Sequence, residues 1–171
     1  MPPTSRDALI AVADLLAPGA PEVGARAAAA HDDPAGYVQE NAEQLDERGI
    51  DEPIPNLAWI ALVDALADHE LLAEVDWKEA DDEIVARLRE LGSSPADGWS
   101  WYAGPDEDGL PTYDFLQLAG ENLAAEGTAL AVLDIDSDCY PLVLLPVGQA
   151  AELVDLASAA GFTAAPLGLS D

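Results

Sequence analysis

Two apolar runs near the C-terminal end of the chain constrain its fold more than any other feature. The runs cover residues 128–135 and 140–145, and a polar Asp136-Ser137-Asp138-Cys139 segment separates them. Apolar runs of this length beside turn-forming residues are typical of β-strands, and a short polar connection between two of them predicts a β-hairpin. We therefore expect the sheet of this protein to be built around the hairpin.

Much of the remaining chain has the 3.6-residue apolar spacing of helices. Residues 57–67 are apolar nearly all round, which predicts the central helix, and amphipathic stretches such as 34–49 and 80–91 predict further helices. Residues 71–77 predict a strand around Val75, and 162–166 are compatible with an edge strand. The predicted fold class is therefore α+β, with about six helices on a small, mainly antiparallel sheet built on the 128–145 hairpin.

The length of 171 residues predicts one globular domain spanning residues 1–171. Residues 1–4 are predicted to be a loose N-terminus. Residues 93–111 are rich in Pro, Gly and Asp and predict a long loop, in which the alternation of Trp99-Ser100-Trp101 is compatible with a short strand.

The charge balance limits the partners of the chain. There are 34 Asp and Glu residues against 6 Lys and Arg, a net charge of -28. This field repels phosphate backbones and anionic lipids, so we expect neither nucleic acid nor membrane binding, and it favours a basic protein partner. A charge that serves solubility alone is the alternative interpretation. The single cysteine and the absence of a signal-like or membrane-length apolar segment lead us to expect a cytoplasmic protein.

Alternate carboxylates follow the first strand of the predicted hairpin. If that strand continues, Asp134, Asp136 and Asp138 share one of its faces, an arrangement that can hold Mg2+ or Ca2+ with Asp76 as a further ligand. A calcium-binding helix-loop-helix loop is excluded, because its glycine and its bidentate glutamate are both missing. A solvated strand face followed by a turn also explains these aspartates without any ligand.

Two reactive residue types occur once each, and neither has the surroundings of a nucleophile. Lys78 stands between Asp76 and Glu79, which favour its charged form, so we interpret it as a structural counter-ion. Cys139 follows Asp138, whose charge opposes thiolate formation.

Aromatic and histidine side chains elsewhere give weaker signals. Trp99, Trp101 and Tyr102 are compatible with a stacking platform for a ligand, but aromatic residues at strand spacing more often cap a core. His31 and His69 lie far apart in sequence, near acids at predicted helix ends, where histidines commonly interact with the helix dipole or with solvent. We therefore expect no histidine metal site.

The chain carries none of the common catalytic motifs. It has no glycine-rich phosphate loop, no Gly-x-Ser-x-Gly elbow and no dinucleotide fingerprint. Glu74 and Asp76 share a strand face, yet nothing in the sequence pushes their pKa values apart, as an acid and base pair requires. The sequence therefore leaves enzymatic activity open and leans against it.

Four segments between residues 55 and 146 resemble an uncharacterised bacterial domain family of unknown function. They are Pro55-Asn56-Leu57-Ala58-Trp59, Glu74-Val75-Asp76-Trp77-Lys78-Glu79, Asp114-Phe115-Leu116 and Leu133-Asp134-Ile135-Asp136-Ser137-Asp138-Cys139-Tyr140-Pro141-Leu142. That family has no assigned activity, cofactor or catalytic residue. The resemblance implies only a bacterial source and a shared fold.

These observations favour a non-enzymatic acidic module, of an immunity or regulatory type, that binds a basic protein and needs no cofactor. The alternative is a metal-assisted hydrolase that uses Mg2+ or Ca2+ at Asp76, Asp134, Asp136 and Asp138.

Overall fold

The computed structural model describes residues 4–104 and 110–168. Its helices are α1 (Ser5–Leu16), α2 (Pro21–Asp32), α3 (Pro34–Glu40), α4 (Ala42–Asp46), α5 (Leu57–Asp68), α6 (Asp81–Arg89), α7 (Thr112–Ala125) and α8 (Ala150–Ala160). Its strands are β1 (Leu72–Asp76), β2 (Thr128–Asp134), β3 (Cys139–Pro146) and β4 (Thr163–Leu167). None of the helices in the described ranges is long and apolar enough to cross a membrane.

The four strands form one antiparallel sheet in the order β1-β3-β2-β4. The predicted hairpin is confirmed: β2 pairs with β3 in the middle of the sheet, with Leu130 opposite Leu144. β1 and β4 form the two edges, and Pro166 lies in an edge strand, where a residue without an N–H group is tolerated. The predicted α+β class is therefore confirmed.

Helices cover both faces of this sheet, because its central strands are apolar on both sides. Ala131 and Val143 point to one face, which packs against α1, α2, α5 and α8. Leu130 and Leu142 point to the other face, which packs against α6 and α7. The alternation of side chains along a strand thus divides the interior into two cores separated by the sheet.

Helix α5 is the central helix that its apolar sequence predicts, with ten of its residues buried. Trp59 is completely buried, and its ring stacks on that of Phe162 with 5.0 Å between centroids. This contact joins α5 to the segment between α8 and β4.

Two local predictions are wrong. The helix predicted over 34–49 is divided at Asn41, whose φ of -118° and ψ of 27° are not helical. The side-chain amide of Asn41 donates to the carbonyl of Tyr37 and competes with helix continuation.

Trp99-Ser100-Trp101 is a turn instead of a strand, closed by a bond from the Tyr102 N–H to the Trp99 carbonyl. The division at Asn41 is one reason why eight α-helices, more than the expected six or so, occupy the described ranges. Residues 1–3 of the predicted loose N-terminus and residues 105–109 of the predicted loop lie outside these ranges.

Candidate functional site

Strand β1 brings two of the distinctive sequence segments together. Asp76 lies opposite Cys139, and Glu74 lies opposite Pro141. Beyond the end of β1, the N–H of Trp77 donates to the carbonyl of Asp138 at 3.2 Å. The segment 74–79 therefore lies beside the turn of the β2–β3 hairpin.

The three aspartates of the hairpin do not share a strand face, because β2 ends at Asp134. Asp134 Oδ1 accepts a 2.8 Å bond from the N–H of Asp136, whose φ of 62° turns the chain. Asp136 and Asp138 thus belong to an exposed turn. Within the described ranges no three His, Cys, Asp or Glu side chains are grouped so that they could hold a metal ion. A metal site that includes Asp76 stays a prediction without support from this geometry.

A charged cluster that the sequence analysis missed lies on the α5 side of β1. Arg48, which follows α4, donates from Nη2 to Asp64 Oδ1 at 2.6 Å and to Glu74 Oε1 at 2.7 Å. Its Nε and Nη1 atoms make second bonds to the same two carboxylates, at 3.1 and 3.0 Å. The only sequence signal for this cluster is Asp64, a charged residue within the apolar helix α5.

Burial and charge act against each other in this cluster. Burial raises the pKa of the Asp64 carboxyl, although hydrogen bonds from Arg48 lower it. Burial alone would lower the pKa of Arg48, but its hydrogen bonds to Glu74 and Asp64 outweigh this effect and raise it. Asp64 is 4% exposed, and its Oδ2 atom has no hydrogen-bond partner among the described residues. The arrangement depends on Arg48 remaining in place.

A cavity of about 420 Å³ lies between this cluster and the hairpin turn. Asn56 closes one side by donating from Nδ2 to the carbonyl of Ile135 at 2.9 Å. Cys139 lines the cavity, and burial followed by the charges of Glu74 and Asp76 raises the pKa of its thiol. The thiol is therefore held in the protonated form, which is a poor nucleophile.

A second cavity, of about 510 Å³, lies where the loop after β1 meets the start of α7. We call it the aromatic groove and define it by Trp77, Leu110, Tyr113 and Tyr140, together with the charged residues discussed below. The rings of Tyr113 and Tyr140 are 6.0 Å apart. Trp77 is 51% exposed and Tyr113 is 47% exposed, so this surface is both apolar and open to solvent.

The charged residues of the aromatic groove are Lys78, Glu79 and Asp81. The Lys78 ammonium lies 4.4 Å from the centroid of the Trp77 ring. It forms no ion pair with a carboxylate of the described residues. The part of the chain that the structure describes therefore does not support the interpretation of Lys78 as a structural counter-ion. Glu79 is 3.9 Å from Arg87, and its carbonyl accepts a 2.9 Å bond from the Thr112 hydroxyl.

The remaining aromatic and histidine candidates contact other side chains of the protein. Trp101 packs against Trp99 and Phe115, with each pair of centroids 6.1 Å apart, so the core interpretation of this group is confirmed. His31 is 3.2 Å from Asp32 on α2. His69 pairs at 3.0 Å with a different carboxylate, that of Glu22.

Fold and surface together define an α+β domain with an antiparallel four-stranded sheet between two helical layers and an aromatic groove at one corner. The chain matches the family described as Domain of unknown function (DUF6630) over residues 8–167, and it belongs to that family. The predicted membership of a domain family of unknown function is thereby confirmed. No curated protein and no solved structure matches the chain.

Proposed function

We propose that this domain is a non-enzymatic protein-binding module that receives a basic protein in the aromatic groove. The observation that carries this proposal is the distribution of exposed apolar side chains. Five large ones are exposed in the ranges 4–104 and 110–168, and three of the five line the groove: Trp77, Leu110 and Tyr113. A contiguous apolar patch with a polar rim is typical of a protein interaction surface, whereas scattered single residues are not.

The residue types in the groove suit binding energetically. Tryptophan and tyrosine bring large contact areas and are enriched among the residues that dominate binding energies. Burial of apolar surface contributes roughly 25 cal/mol per Å² before the costs of association are subtracted. Trp77 is half exposed in the free domain, so a partner that buries the rest of its apolar surface gains binding energy from it.

The charge of the domain selects the partner. The first turn of α6, beside the groove, carries Asp81, Asp82 and Glu83. Together with the net charge of -28, these carboxylates attract a basic surface and speed its approach, while they repel acidic competitors.

Affinity capture with matched variants tests this function. Immobilised domain is incubated at low salt with lysate of the organism that supplies the gene, as wild type, as Trp77→Ser and as Tyr113→Ser. Val147→Ser is the control, because Val147 is 38% exposed but lies beyond the end of β3, outside the groove. We expect a basic protein that the wild type and Val147→Ser both capture and the two groove variants lose.

Association kinetics of the captured protein complete the test. Its on-rate is expected to fall steeply between 0.01 M and 0.1 M salt, over which the Debye length shrinks from about 30 to about 10 Å. Capture that is indifferent to both groove substitutions, or an on-rate indifferent to salt, contradicts the proposal.

A further inference from the structure

We infer that the aromatic groove binds a cationic side chain of the basic partner against the face of Trp77, and that Lys78 occupies this position in the free domain. The inference rests on the proposed function and specifies what the groove recognises.

The contact between Lys78 and Trp77 shows that a cation fits over this ring. The ammonium is 4.4 Å from the ring centroid, within the distance of about 6 Å over which a cation is attracted to an aromatic face. Tryptophan is the best aromatic partner for such a cation, and lysine and arginine are its usual ligands. A neighbour in sequence thus provides the contact that a partner can replace.

The rest of the groove has the composition of a cation site. Tyr113 and Tyr140 add two further rings, and Glu79 and Asp81 add carboxylates. The cavity, about 510 Å³, is far larger than the single ammonium that now lies at Trp77, so it has room for an incoming side chain. Aromatic faces are used to recognise ammonium groups, and nearby carboxylates attract any cation.

An anionic ligand is the alternative, because α6 and α7 both begin at the groove and helix N-termini attract negative charge. The first turn of α6 already holds three carboxylates, and that of α7 holds Asp114. Those side chains neutralise the helix ends and repel a further anion. The groove therefore favours a cation.

The direction in which Lys78→Ala changes the affinity for a ligand shows whether the groove binds a cation or an anion. If Lys78 occupies the site of the incoming cation, Lys78→Ala frees the Trp77 face and removes a repulsive charge, and binding of a cation becomes tighter. If Lys78 instead attracts an anion, the same substitution weakens binding. If Lys78 has only a structural role, the substitution leaves the binding of cations and of anions unchanged.

The probe is the peptide acetyl-Gly-Arg-Gly-amide, with citrulline and glutamate versions as its neutral and anionic counterparts. Binding is followed at low salt from the indole N–H signal of Trp77 in ¹H–¹⁵N spectra, assigned by its loss in Trp77→Leu. We expect the arginine peptide to shift this signal and the other two peptides to leave it in place. Lys78→Ala and Lys78→Gln are expected to tighten arginine binding about two- to fivefold, the effect of one exposed cation–π contact.

Arg89→Ala is the control, since it removes the same charge at the far end of α6, about 12 Å along the helix from Asp81. It is expected to leave the affinity for the peptide unchanged. Equal shifts with the citrulline or glutamate peptide, or unchanged or weaker binding in Lys78→Ala, overturn the cation assignment. If the cation assignment fails but partner capture still depends on Trp77 and Tyr113, the proposed protein-binding function is retained. If capture does not depend on either residue, the proposed function is refuted as well.

Discussion

Gly120 of α7 lies directly against the carbonyl group of Leu167 at the end of β4, so closely that a Cβ atom at Gly120 would overlap the Leu167 oxygen. The neighbouring Gly168 has a φ of 70°, and its N–H donates to Gln117 Oε1 at 2.7 Å. The helix and the edge strand therefore approach each other through glycine, and no flexible side chain separates their backbones.

We predict that Gly120→Ala lowers the free energy of unfolding by about 1 to 3 kcal/mol, because overpacking forces the two backbones apart. Gly148→Ala is the matched control, since a Cβ atom at Gly148 would have no atom within 4 Å other than those of Gly148 itself and its two chain neighbours. Urea denaturation measures both variants. Equal midpoints for the two would show that α7 can move away from β4 without cost.

Trp59→Ala should be among the most destabilising single substitutions in the chain. The ring is fully buried and stacks on Phe162, so its removal leaves a large cavity between α5 and the end of α8. We expect a loss of about 3 to 5 kcal/mol. Trp77→Ala, at a tryptophan that is 51% exposed, is expected to change the denaturation midpoint little. A reversed order of the two effects is incompatible with α5 as the central helix.

The sequence predicts those parts of the fold that local patterns specify. The hairpin and α5 follow from apolar runs whose meaning does not depend on distant residues. The Arg48 cluster does not, because its partners Asp64 and Glu74 are 16 and 26 residues away and meet it only after α5 packs on β1. The aromatic groove is hidden for the same reason: Trp77 and Tyr113 come together only through the tertiary fold.

At the predicted carboxylate site the sequence pattern indicates an arrangement that the structure does not form. The alternation of Asp134 and Asp136 suggests a continuing strand, but the left-handed backbone at Asp136 ends it, and the side chain of Asp134 stabilises that turn. Aspartate adopts this conformation more readily than most residues, so a turn competes with a strand wherever the pattern contains it.

Stability is predicted to depend on pH through His69, whose ring ties α5 to α2. Its hydrogen bonds to the carbonyl of Ala65 and to Glu22 raise the pKa of His69 above its usual value of 6.5. The protonated form therefore stabilises the folded state, fully below pH 6.5, and this contribution is lost as the pH rises through the higher folded-state pKa. We expect the melting temperature to fall over that interval.

NMR titration of the His69 ring with matched variants checks this assignment. Glu22→Gln removes the charged partner and should lower the pKa of His69, while Glu83→Gln, an exposed residue on the other side of the sheet, should leave it unchanged. Titration of His69 at an ordinary value in the wild type would exclude the contact with Glu22 in solution.

The double variant Asp136→Asn, Asp138→Asn is predicted to keep the fold and to gain slightly in stability. Both side chains are exposed in the hairpin turn, so their removal relieves repulsion within a highly negative protein. Asparagine also tolerates the φ of 62° at Asp136. Melting curves with and without Mg2+ or Ca2+ measure the effect. A large loss of melting temperature, or a metal-induced rise that the variant abolishes, would favour the metal site.

Arg48→Met tests whether the charged cluster holds α5 against the sheet. The substitution leaves the carboxylate of Asp64 buried without a counter-charge, and breaking a buried ion pair in this way costs about 3 to 5 kcal/mol. Adding Asp64→Leu should recover part of that loss, because the carboxylate that then remains unpaired, that of Glu74, is less deeply buried than that of Asp64. The exposed pair between Arg6 and Asp32 supplies the control: Arg6→Met removes an equal charge from solvent-screened surroundings and should cost little. Chemical denaturation of five proteins, wild type, Arg48→Met, Asp64→Leu, the double variant and Arg6→Met, gives the coupling between Arg48 and Asp64 as a double-mutant cycle. If Arg48→Met costs no more than Arg6→Met, water reaches Asp64, and the cluster does not hold α5 against the sheet.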